Sequence, residues 1–304
     1  MSEIVKQLTV PEGPAQRIDR CVQELTGLSR GAARGLFDHG CVRLNGDVCD
    51  EPGKVVAPGE TVEVRYDPQR RYRERRAESV DRAYRLVFED ADVIVVDKAA
   101  DVLTVPTDRG EPNTLVSALE RHVRRRNPRG KLTVVQRLDR GTSGLLVFGK
   151  TPRAGTALRT QFAGRKPDRE YLALVAGSLA EPAGTFRTRM ATNRGLQRYS
   201  TSEKGNGELA ITHYSTEGAA RGATLIRARL ETGRRNQIRV HFAEVGHPVL
   251  GDERYRPDLA AHAQWPYKRL ALHAAILGFA HPRTGEVLRF ESPLPVEFAK
   301  FLGR

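Results

Sequence analysis

The stretch Val135-Gln-Arg-Leu-Asp-Arg-Gly-Thr-Ser-Gly-Leu-Leu-Val-Phe-Gly-Lys150 places one acidic side chain, Asp139, between Arg137 and Arg140, and ends in an apolar run. This run, residues 145–148, has the length and composition of a strand buried within a sheet. A guanidinium beside an aspartate favours the ionised carboxylate and holds its oxygens in a fixed fork. Asp139 is therefore the leading candidate for a catalytic carboxylate, although such residues in isolation more often make a structural ion pair.

Residues 86–304 alternate predicted strands and helices around this stretch. Apolar or alternating runs predict strands at 93–96, 145–148, 171–175 and 225–231, and periodic runs predict helices at 114–123 and 152–164. A further helix is predicted after residue 236, closed by Gly246, with an apolar face made of Ile238, Phe242 and Val245. Periodicity alone indicates only a domain that combines helices and strands.

Arg235 and Arg239 lie four residues apart at the start of this last helix. Residues at this spacing share a helix face, and the free amide groups of a helix start attract negative charge. The pattern therefore predicts an anion site, occupied by a phosphate or by a side-chain carboxylate.

Residues 16–64 are predicted to form a small domain of two helices and a small sheet. Ser29 is placed to cap the second helix, and Asn45-Gly46 is a strong signal for a two-residue hairpin turn. Positive charge lies near this turn, on Arg30, Arg34 and Arg43. It fits a basic binding face and, equally, an ordinary solvated surface.

The segments before and after this domain are predicted to be a tail, residues 1–15, and a linker, residues 65–85. The linker has almost no aliphatic residues and carries arginines at positions 70, 71, 73, 75 and 76. Such a segment either tracks phosphate groups or only separates two domains. The second predicted domain is then residues 86–304.

The chain of 304 residues is 39% hydrophobic, enough for a sizeable core, and carries a formal net charge of +13. This charge predicts a polyanionic partner without separating RNA, DNA and acidic membranes. The N-terminus lacks a basic stretch followed by an apolar run, and the aliphatic run 93–96 is too short to span a membrane. We therefore expect a cytoplasmic protein without a membrane partner, and a monomer by default.

The sequence gives no support to several other kinds of chemistry. Cys21, Cys41 and Cys49 are an odd number without a Cys-x-x-Cys pair, and the eight histidines are scattered, so neither disulfides nor a metal site is expected. A Gly-x-x-x-x-Gly-Lys-Thr string occurs at residues 144–151, but the predicted buried strand 145–148 takes up the positions where a phosphate-binding loop would lie. A Gly-x-Ser-x-Gly string occurs at residues 27–31, but it lies between two predicted helices and not at the strand-to-helix turn of a nucleophile elbow. Nucleotide and ester hydrolysis lose support, which leaves a carboxylate as the best reactive group.

Several separated segments, in order, resemble the RluA family of pseudouridine synthases. They are residues 93–98, 137–146, 169–177, 232–252, 269–274 and 292–295. Nearer the N-terminus, residues 17–19, 28–30, 40–46 and 58–60 resemble the S-four RNA-binding domain. The resemblance implies an α+β fold: a pseudouridine synthase catalytic domain with a mainly antiparallel mixed sheet, preceded by a small α/β RNA-binding domain.

The resemblance also implies isomerisation of uridine in RNA, most closely in large-subunit ribosomal RNA, without a metal or organic cofactor. Asp139 would be the essential carboxylate, with Arg239 keeping it ionised and aimed. Tyr171 would pack against the flipped uridine and accept or relay a sugar proton. Arg137 would fill the space that the uridine leaves. The other RNA-binding candidates are Arg30, Arg34, Arg43, Arg140 and Arg235.

Three places depart from the family pattern. Gln136 and Asn236 stand where histidine is usual, and Lys98-Ala99-Ala100-Asp101 stands where Lys-Pro-Ala-Gly is typical. These departures keep open a non-catalytic RNA-binding or ribosome-assembly protein on the same scaffold. A synthase that acts on transfer RNA is the second alternative.

Overall fold

The chain divides into two compact units, Met1–Val80 and Asp81–Arg304. In the computed structural model, the described residues are 3–69, 72, 83–108, 110–125, 127–203 and 205–304. The arginines of the predicted linker, at positions 70, 71, 73, 75 and 76, lie outside them. At the two ends of the predicted 65–85 interval, one strand extends to Tyr66 and another begins at Tyr84.

The N-terminal unit packs two helices against a small antiparallel sheet. Its elements are β1 (Ile4–Thr9), β2 (Gln16–Arg17), α1 (Ile18–Thr26), α2 (Arg30–Asp38), β3 (Val42–Leu44), β4 (Asp47–Val48), β5 (Val55–Val56) and β6 (Thr61–Tyr66). The sheet has the order β1-β6-β3-β4, and β2 pairs separately with β5. Ile18 and Val22 of α1, Leu36 of α2 and Val62 of β6 belong to one buried cluster, so both helices pack against the sheet.

Residues 4–9, expected to belong to a tail, instead form the edge strand β1. It pairs with β6 from Ile4 opposite Tyr66 to Thr9 opposite Thr61. Lys6 and Leu8 are half-buried and the other four residues are exposed. The strand therefore lacks the apolar alternation that signals a strand in sequence, and backbone hydrogen bonds hold it in the sheet.

The hairpin between β3 and β4 has the backbone that its sequence predicts. Asn45 and Gly46 have φ values of 53° and 93°, and a type I′ turn requires positive φ at both central residues. The predicted hairpin is confirmed. Ser29 occupies the N-cap of α2 as expected, but its side chain makes no capping hydrogen bond.

The second unit is an α+β domain built on one large sheet. Its strands are β7 (Tyr84–Glu89), β8 (Val93–Lys98), β9 (Thr133–Val134), β10 (Ser143–Gly149), β11 (Asp168–Ala176), β12 (Ala183–Thr192), β13 (Arg198–Thr201), β14 (Glu208–Ala220), β15 (Ala223–Leu230), β16 (Leu272–Ala280) and β17 (Val287–Glu291). Its helices are α3 (Leu115–Arg124), α4 (Pro152–Ala163), α5 (Gln237–Glu244), α6 (Pro257–Ala260) and α7 (Val296–Leu302). The main strand order is β13-β12-β14-β15-β11-β16-β10-β8-β7, with β17 on β16 and β9 on β10.

One parallel pair interrupts an otherwise antiparallel sheet within the part of the chain that the structure describes. β10 and β16 run parallel, with Ser143 opposite His273 and Gly144 opposite Ala274. Gly144 has φ of 114°, and a Cβ atom there would lie 2.3 Å from the Ala274 carbonyl oxygen. Glycine is therefore required where β10 begins, directly after the loop that carries Asp139. The mainly antiparallel mixed sheet expected from the resemblance is confirmed.

Strand β8 shows why the inner strands are continuously apolar. Ile94 belongs to the same buried cluster as Leu119 of α3, whereas Val95 belongs to a second cluster with Leu158 of α4. All four side chains have 0% exposure. Burial on both faces of a sheet favours an uninterrupted apolar strand, as the sequence predicts here.

The predicted helices lie where expected, with one correction. α3 and α4 begin after Thr114 and Thr151, and both side chains accept capping hydrogen bonds. Val245, predicted on the apolar face of α5, lies beyond the end of this helix and is 50% exposed. Gly246, with φ of 86°, closes the turn and leaves Val245 outside. No helix among the described residues is both long and apolar enough to cross a bilayer.

Candidate active site

The loop that carries Asp139 joins β9 to β10 and is fixed by side chains from the segment near β8. The Thr104 hydroxyl donates to the Leu138 carbonyl at 2.8 Å and accepts from the Leu138 amide at 3.2 Å. Lys98 Nζ donates to the Arg140 carbonyl at 3.2 Å. Peptide groups on both sides of Asp139 are therefore held, which gives the carboxylate a rigid support.

Lys98 is a buried cation with 1% exposure. Its ammonium group also donates to the carbonyls of Ala99, at 2.8 Å, and Val102, at 2.7 Å. Burial, reinforced by Arg269, lowers the pKa of Lys98 to about 7. The departures from the family pattern at residues 99–101 leave these carbonyl contacts in place.

One oxygen of Asp139 is held by two donors, and the other is left open. Arg239 Nη1 and Asn236 Nδ2 each donate to Asp139 Oδ2 at 2.7 Å. Oδ1 has no hydrogen-bond partner among the described residues, and 29% of the side chain is exposed. The carboxylate is thus oriented while one of its oxygens stays accessible to a substrate.

Arg239 is shared between Asp139 and a second carboxylate, Asp252. Its Nε and Nη2 donate to Asp252 at 2.7 and 2.8 Å. Burial lowers the pKa of Arg239, but the two carboxylates, Asp252 foremost, outweigh burial and raise the pKa above its ordinary value. Arg239 therefore stays charged throughout the physiological pH range.

Tyr171 lies in β11 between β15 and β16. It lines a cavity of about 60 Å³ together with Asp139, Arg239 and Arg137. Burial raises the pKa of the Tyr171 hydroxyl, and Asp139 adds to this effect. The hydroxyl is therefore protonated at neutral pH. Three residues that are distant in sequence, Asp139, Tyr171 and Arg239, thus meet around one cavity.

A wider groove of about 890 Å³ also reaches Asp139 and Arg239. Besides Arg239, its lining includes four cations, two aromatic side chains and two acids outside the Arg239 cluster: Arg140, Arg254, Lys268, Arg269, Trp265, Tyr267, Asp101 and Glu253. Cations bind phosphates, and aromatic rings stack on bases. The groove therefore offers side chains of the kinds that bind phosphates and bases.

The two arginines that flank Asp139 in sequence do not bind its carboxylate. Arg137 is exposed beside the small cavity. Arg140 is also exposed, and its Nε donates to the Asp101 carbonyl at 3.2 Å. The expected ion pair with these neighbours is wrong for the described residues, because the loop turns both guanidinium groups outward and Arg239 takes their place.

The predicted pairing of Arg235 with Arg239 around one anion does not form. Asn236 adopts a left-handed φ of 58°, so α5 begins only at Gln237 and Arg235 lies outside the helix. Arg235 Nη2 donates instead to the Leu196 carbonyl at 2.7 Å. Arg239 alone meets the predicted anion, which is a side-chain carboxylate.

The three arginines singled out in the N-terminal unit lie on α2 and β3. Arg30 is exposed, whereas Arg34 and Arg43 are half-buried. Arg43 Nη1 donates to a carbonyl of its own hairpin turn at 2.8 Å. The pKa of the buried Asp19 carboxyl is lowered chiefly by Arg17, with smaller effects from Arg30 and Arg34. Positive charge therefore surrounds the start of α1.

The contacts of Thr104, Asp252 and Asn236 in the site are not predicted from the sequence. Asparagine tolerates the left-handed conformation. An asparagine just before a predicted helix is therefore a local signal that the backbone turns at Asn236. Thr104 is hydrogen-bonded to Leu138, 34 positions away, and Asp252 to Arg239, 13 positions away. No short pattern in the sequence marks such contacts.

Three potential metal ligands, Asp90, Asp92 and His281, lie together in the described part of the chain. His281 Nε2 and Asp90 Oδ2 are 2.8 Å apart, and Asp92 pairs with Arg283 at 2.6 Å. These side chains tie the β7–β8 turn to the end of β16. We therefore assign the group a structural role.

An oriented carboxylate beside a groove that carries cations and aromatic rings is an arrangement suited to an enzyme that acts on RNA. The family model described as RNA pseudouridylate synthase matches residues 92–244, and the S4 domain matches residues 16–62. The chain belongs to the RNA pseudouridylate synthase family, and the resemblance seen in the sequence is confirmed.

Relatives of known name cover nearly the whole chain. The chain is 36% identical to ribosomal large subunit pseudouridine synthase D of Haemophilus influenzae, across 96% of this chain and 92% of that protein. It is 34% identical to an uncharacterized RNA pseudouridine synthase of Mycobacterium bovis, across 96% and 95%. The solved structure of human RNA pseudouridylate synthase domain containing 4 has a TM-score of 0.60 at 19% identity, covering 72% of this chain and 91% of that one. The last likeness shows a common fold.

Asn236→Gly is expected to lower turnover at saturating RNA about tenfold, with little loss of stability. Glycine keeps the left-handed backbone but removes the donor to Asp139 Oδ2. Single-turnover rates and thermal unfolding measure the two effects. Asn45→Gly is the matched control, because it changes a left-handed asparagine outside the site and should leave the rate unaltered. A rate for Asn236→Gly equal to that of this control contradicts the assignment.

Proposed function

We propose that this RNA pseudouridine synthase isomerises uridine in large-subunit ribosomal RNA, with Asp139 as its essential carboxylate. The observation that carries the proposal is the state of Asp139, which has Oδ2 bound by Arg239 and Asn236 and Oδ1 without a partner among the described residues. The substrate is inferred from relatives such as the Haemophilus influenzae protein, whose name specifies the large ribosomal subunit.

The reaction breaks the bond from the sugar C1′ to N1 of uracil and forms a bond from C1′ to C5. The C5 proton leaves to solvent and N1 takes up a proton, so the product is an isomer of uridine. Asp139 Oδ1 either attacks C1′ and is displaced when the C1′–C5 bond forms, or supports a glycal route. In the glycal route the C2′ proton is removed as uracil departs and is returned to C2′ when C5 bonds to C1′. Bonds are exchanged without net oxidation or reduction, so the proposed chemistry needs no metal or organic cofactor. Arg239 keeps the carboxylate aimed through its hydrogen bond to Oδ2.

Tyr171 is proposed to pack against the displaced uridine. The raised pKa of its hydroxyl, caused by burial, favours a role as a protonated donor that relays a proton over a role as a phenolate base. The ring and Asp139 line the same cavity, which puts both within reach of one nucleotide.

The target uridine must leave its stack to reach Asp139, at a cost of a few kcal/mol. Arg137 is exposed at the same cavity, where its planar guanidinium is suited to filling the vacated space. Phosphate contacts then come from the remaining arginines proposed to bind RNA: Arg30, Arg34, Arg43, Arg140 and Arg235. We further propose that the protein works in the cytoplasm as a monomer.

Transcripts labelled with tritium at C5 of uracil test the proposed substrate. We expect the protein to release tritium from large-subunit ribosomal RNA with a kcat/KM at least about tenfold above that for transfer RNA, a difference of about 1.4 kcal/mol. Faster release from transfer RNA would contradict the ribosomal assignment while leaving the reaction intact. Tight binding of both RNAs without release would favour a non-catalytic RNA-binding or assembly role.

A further inference from the structure

We propose that Asp252 is a positioning residue for the reaction, which fixes the rotation of the Arg239 guanidinium so that Asp139 Oδ1 stays open to the sugar. The inference rests on the proposed role of Asp139. It extends that role to a buried carboxylate that does not touch the substrate.

The guanidinium of Arg239 uses all three of its nitrogens. Nε and Nη2 make a forked pair with Asp252 at 2.7 and 2.8 Å, whereas only Nη1 reaches Asp139 Oδ2, at 2.7 Å. Arginine and carboxylate groups favour forked pairing with two hydrogen bonds. Here Asp252 takes the forked geometry, and Asp139 receives a single hydrogen bond.

Asp252 is itself held in one orientation. Its side chain has 0% exposure, and Oδ1 also accepts the backbone amides of Arg254 and Tyr255 at 2.9 and 3.0 Å. An aspartate that bonds its own backbone in this way is restricted in rotation. The Tyr255 ring centroid lies 5.1 Å from Arg239 Cζ, so the guanidinium is fixed at its edge and at its face.

Loss of the Asp252 charge would free Arg239 to rotate. The guanidinium would then pair in forked geometry with both oxygens of Asp139, which is the arrangement that such groups favour. Oδ1 would be occupied, and the sugar would have to displace a hydrogen bond to a charged group. RNA affinity would change little, because cations of the groove, such as Arg140 and Lys268, do not depend on Asp252 for a hydrogen bond.

Asp252→Asn is expected to lower the single-turnover rate of tritium release about 100-fold, with KM for the RNA within about twofold of wild type. Asp90→Asn is the matched control. Asp90 likewise accepts two backbone amides, from Asp92 and Val93 at 2.8 Å, and binds one basic side chain, His281. It lines neither cavity at Asp139, so we expect a rate within about threefold of wild type.

A double replacement separates positioning from a general loss of structure. If Asp252 acts through Arg239, adding Asp252→Asn to Arg239→Gln should lower the rate by no more than about threefold, because the guanidinium is already gone. Each rate is divided by the fraction of protein that is folded. If Asp252→Asn does not fold, Asp252→Ser is used instead, because serine keeps an oxygen that can accept the two backbone amides. A wild-type rate in Asp252→Asn, or fully additive losses in the double variant, overturns the inference. An inactive wild type would instead refute the proposed function.

Discussion

Asp139→Asn is expected to lower the single-turnover rate of pseudouridine formation by at least about 10⁴-fold. Asparagine keeps the shape of the side chain and an oxygen that can accept from Arg239. Because its amide carries no negative charge, it can neither attack the sugar nor assist the departure of uracil. RNA affinity should stay within about threefold, because phosphate contacts elsewhere supply most of it. Tritium release measures the rate, and filter binding measures the affinity.

Asp92→Asn is the control for this variant. Asp92 likewise accepts a hydrogen bond from one arginine, Arg283 Nε at 2.6 Å, and lines neither cavity at Asp139. The same change from acid to amide should therefore leave the rate within about threefold of wild type. An Asp139→Asn rate above about 1% of wild type, with Asp92→Asn unaffected, would remove Asp139 from the chemistry.

Arg239→Gln is expected to reduce both turnover and stability. The rate should fall about 10²- to 10³-fold, because Asp139 loses the donor that orients it. The free energy of unfolding should fall by about 3–5 kcal/mol, because Asp252 is left charged and buried without its cation. Its side chain has 0% exposure. Urea unfolding and single-turnover rates measure the two losses.

Two companion variants separate these losses. Adding Asp252→Asn to Arg239→Gln removes the unpaired charge and should restore much of the stability without restoring the rate. Arg254→Gln changes an exposed arginine of the same groove, and should raise KM while changing stability by no more than about 0.5 kcal/mol. Wild-type stability in Arg239→Gln alone would show that the buried ion pair with Asp252 is not required for folding.

Local signals in the sequence predict much of the fold. Residues 93–96 and 145–148 are apolar throughout because the sheet is buried on both faces, and the helices that start after Thr114 and Thr151 begin at recognisable caps. Asn45-Gly46 specifies its turn through backbone conformation alone. Asp139, Tyr171 and Arg239 were identified through separated motifs, and in the structure they line one cavity.

Features that depend on contacts through space escaped prediction. Strand β1 is held by backbone pairing with β6 rather than by an apolar pattern. The arginines beside Asp139 in sequence do not bind it, whereas Arg239, 100 residues away, does. Asp252 is one more acid in the sequence, and only its burial and its forked contact with Arg239 reveal a function.

Tritium release coupled to product analysis tests the central claim most directly. Large-subunit ribosomal RNA labelled at C5 of uracil is incubated with the wild-type protein, and the RNA is then digested to nucleosides. We expect one pseudouridine for each tritium released, with no free uracil, and neither product with Asp139→Asn. Release of free uracil, or RNA binding by the wild type without tritium release, would contradict an isomerase that uses Asp139.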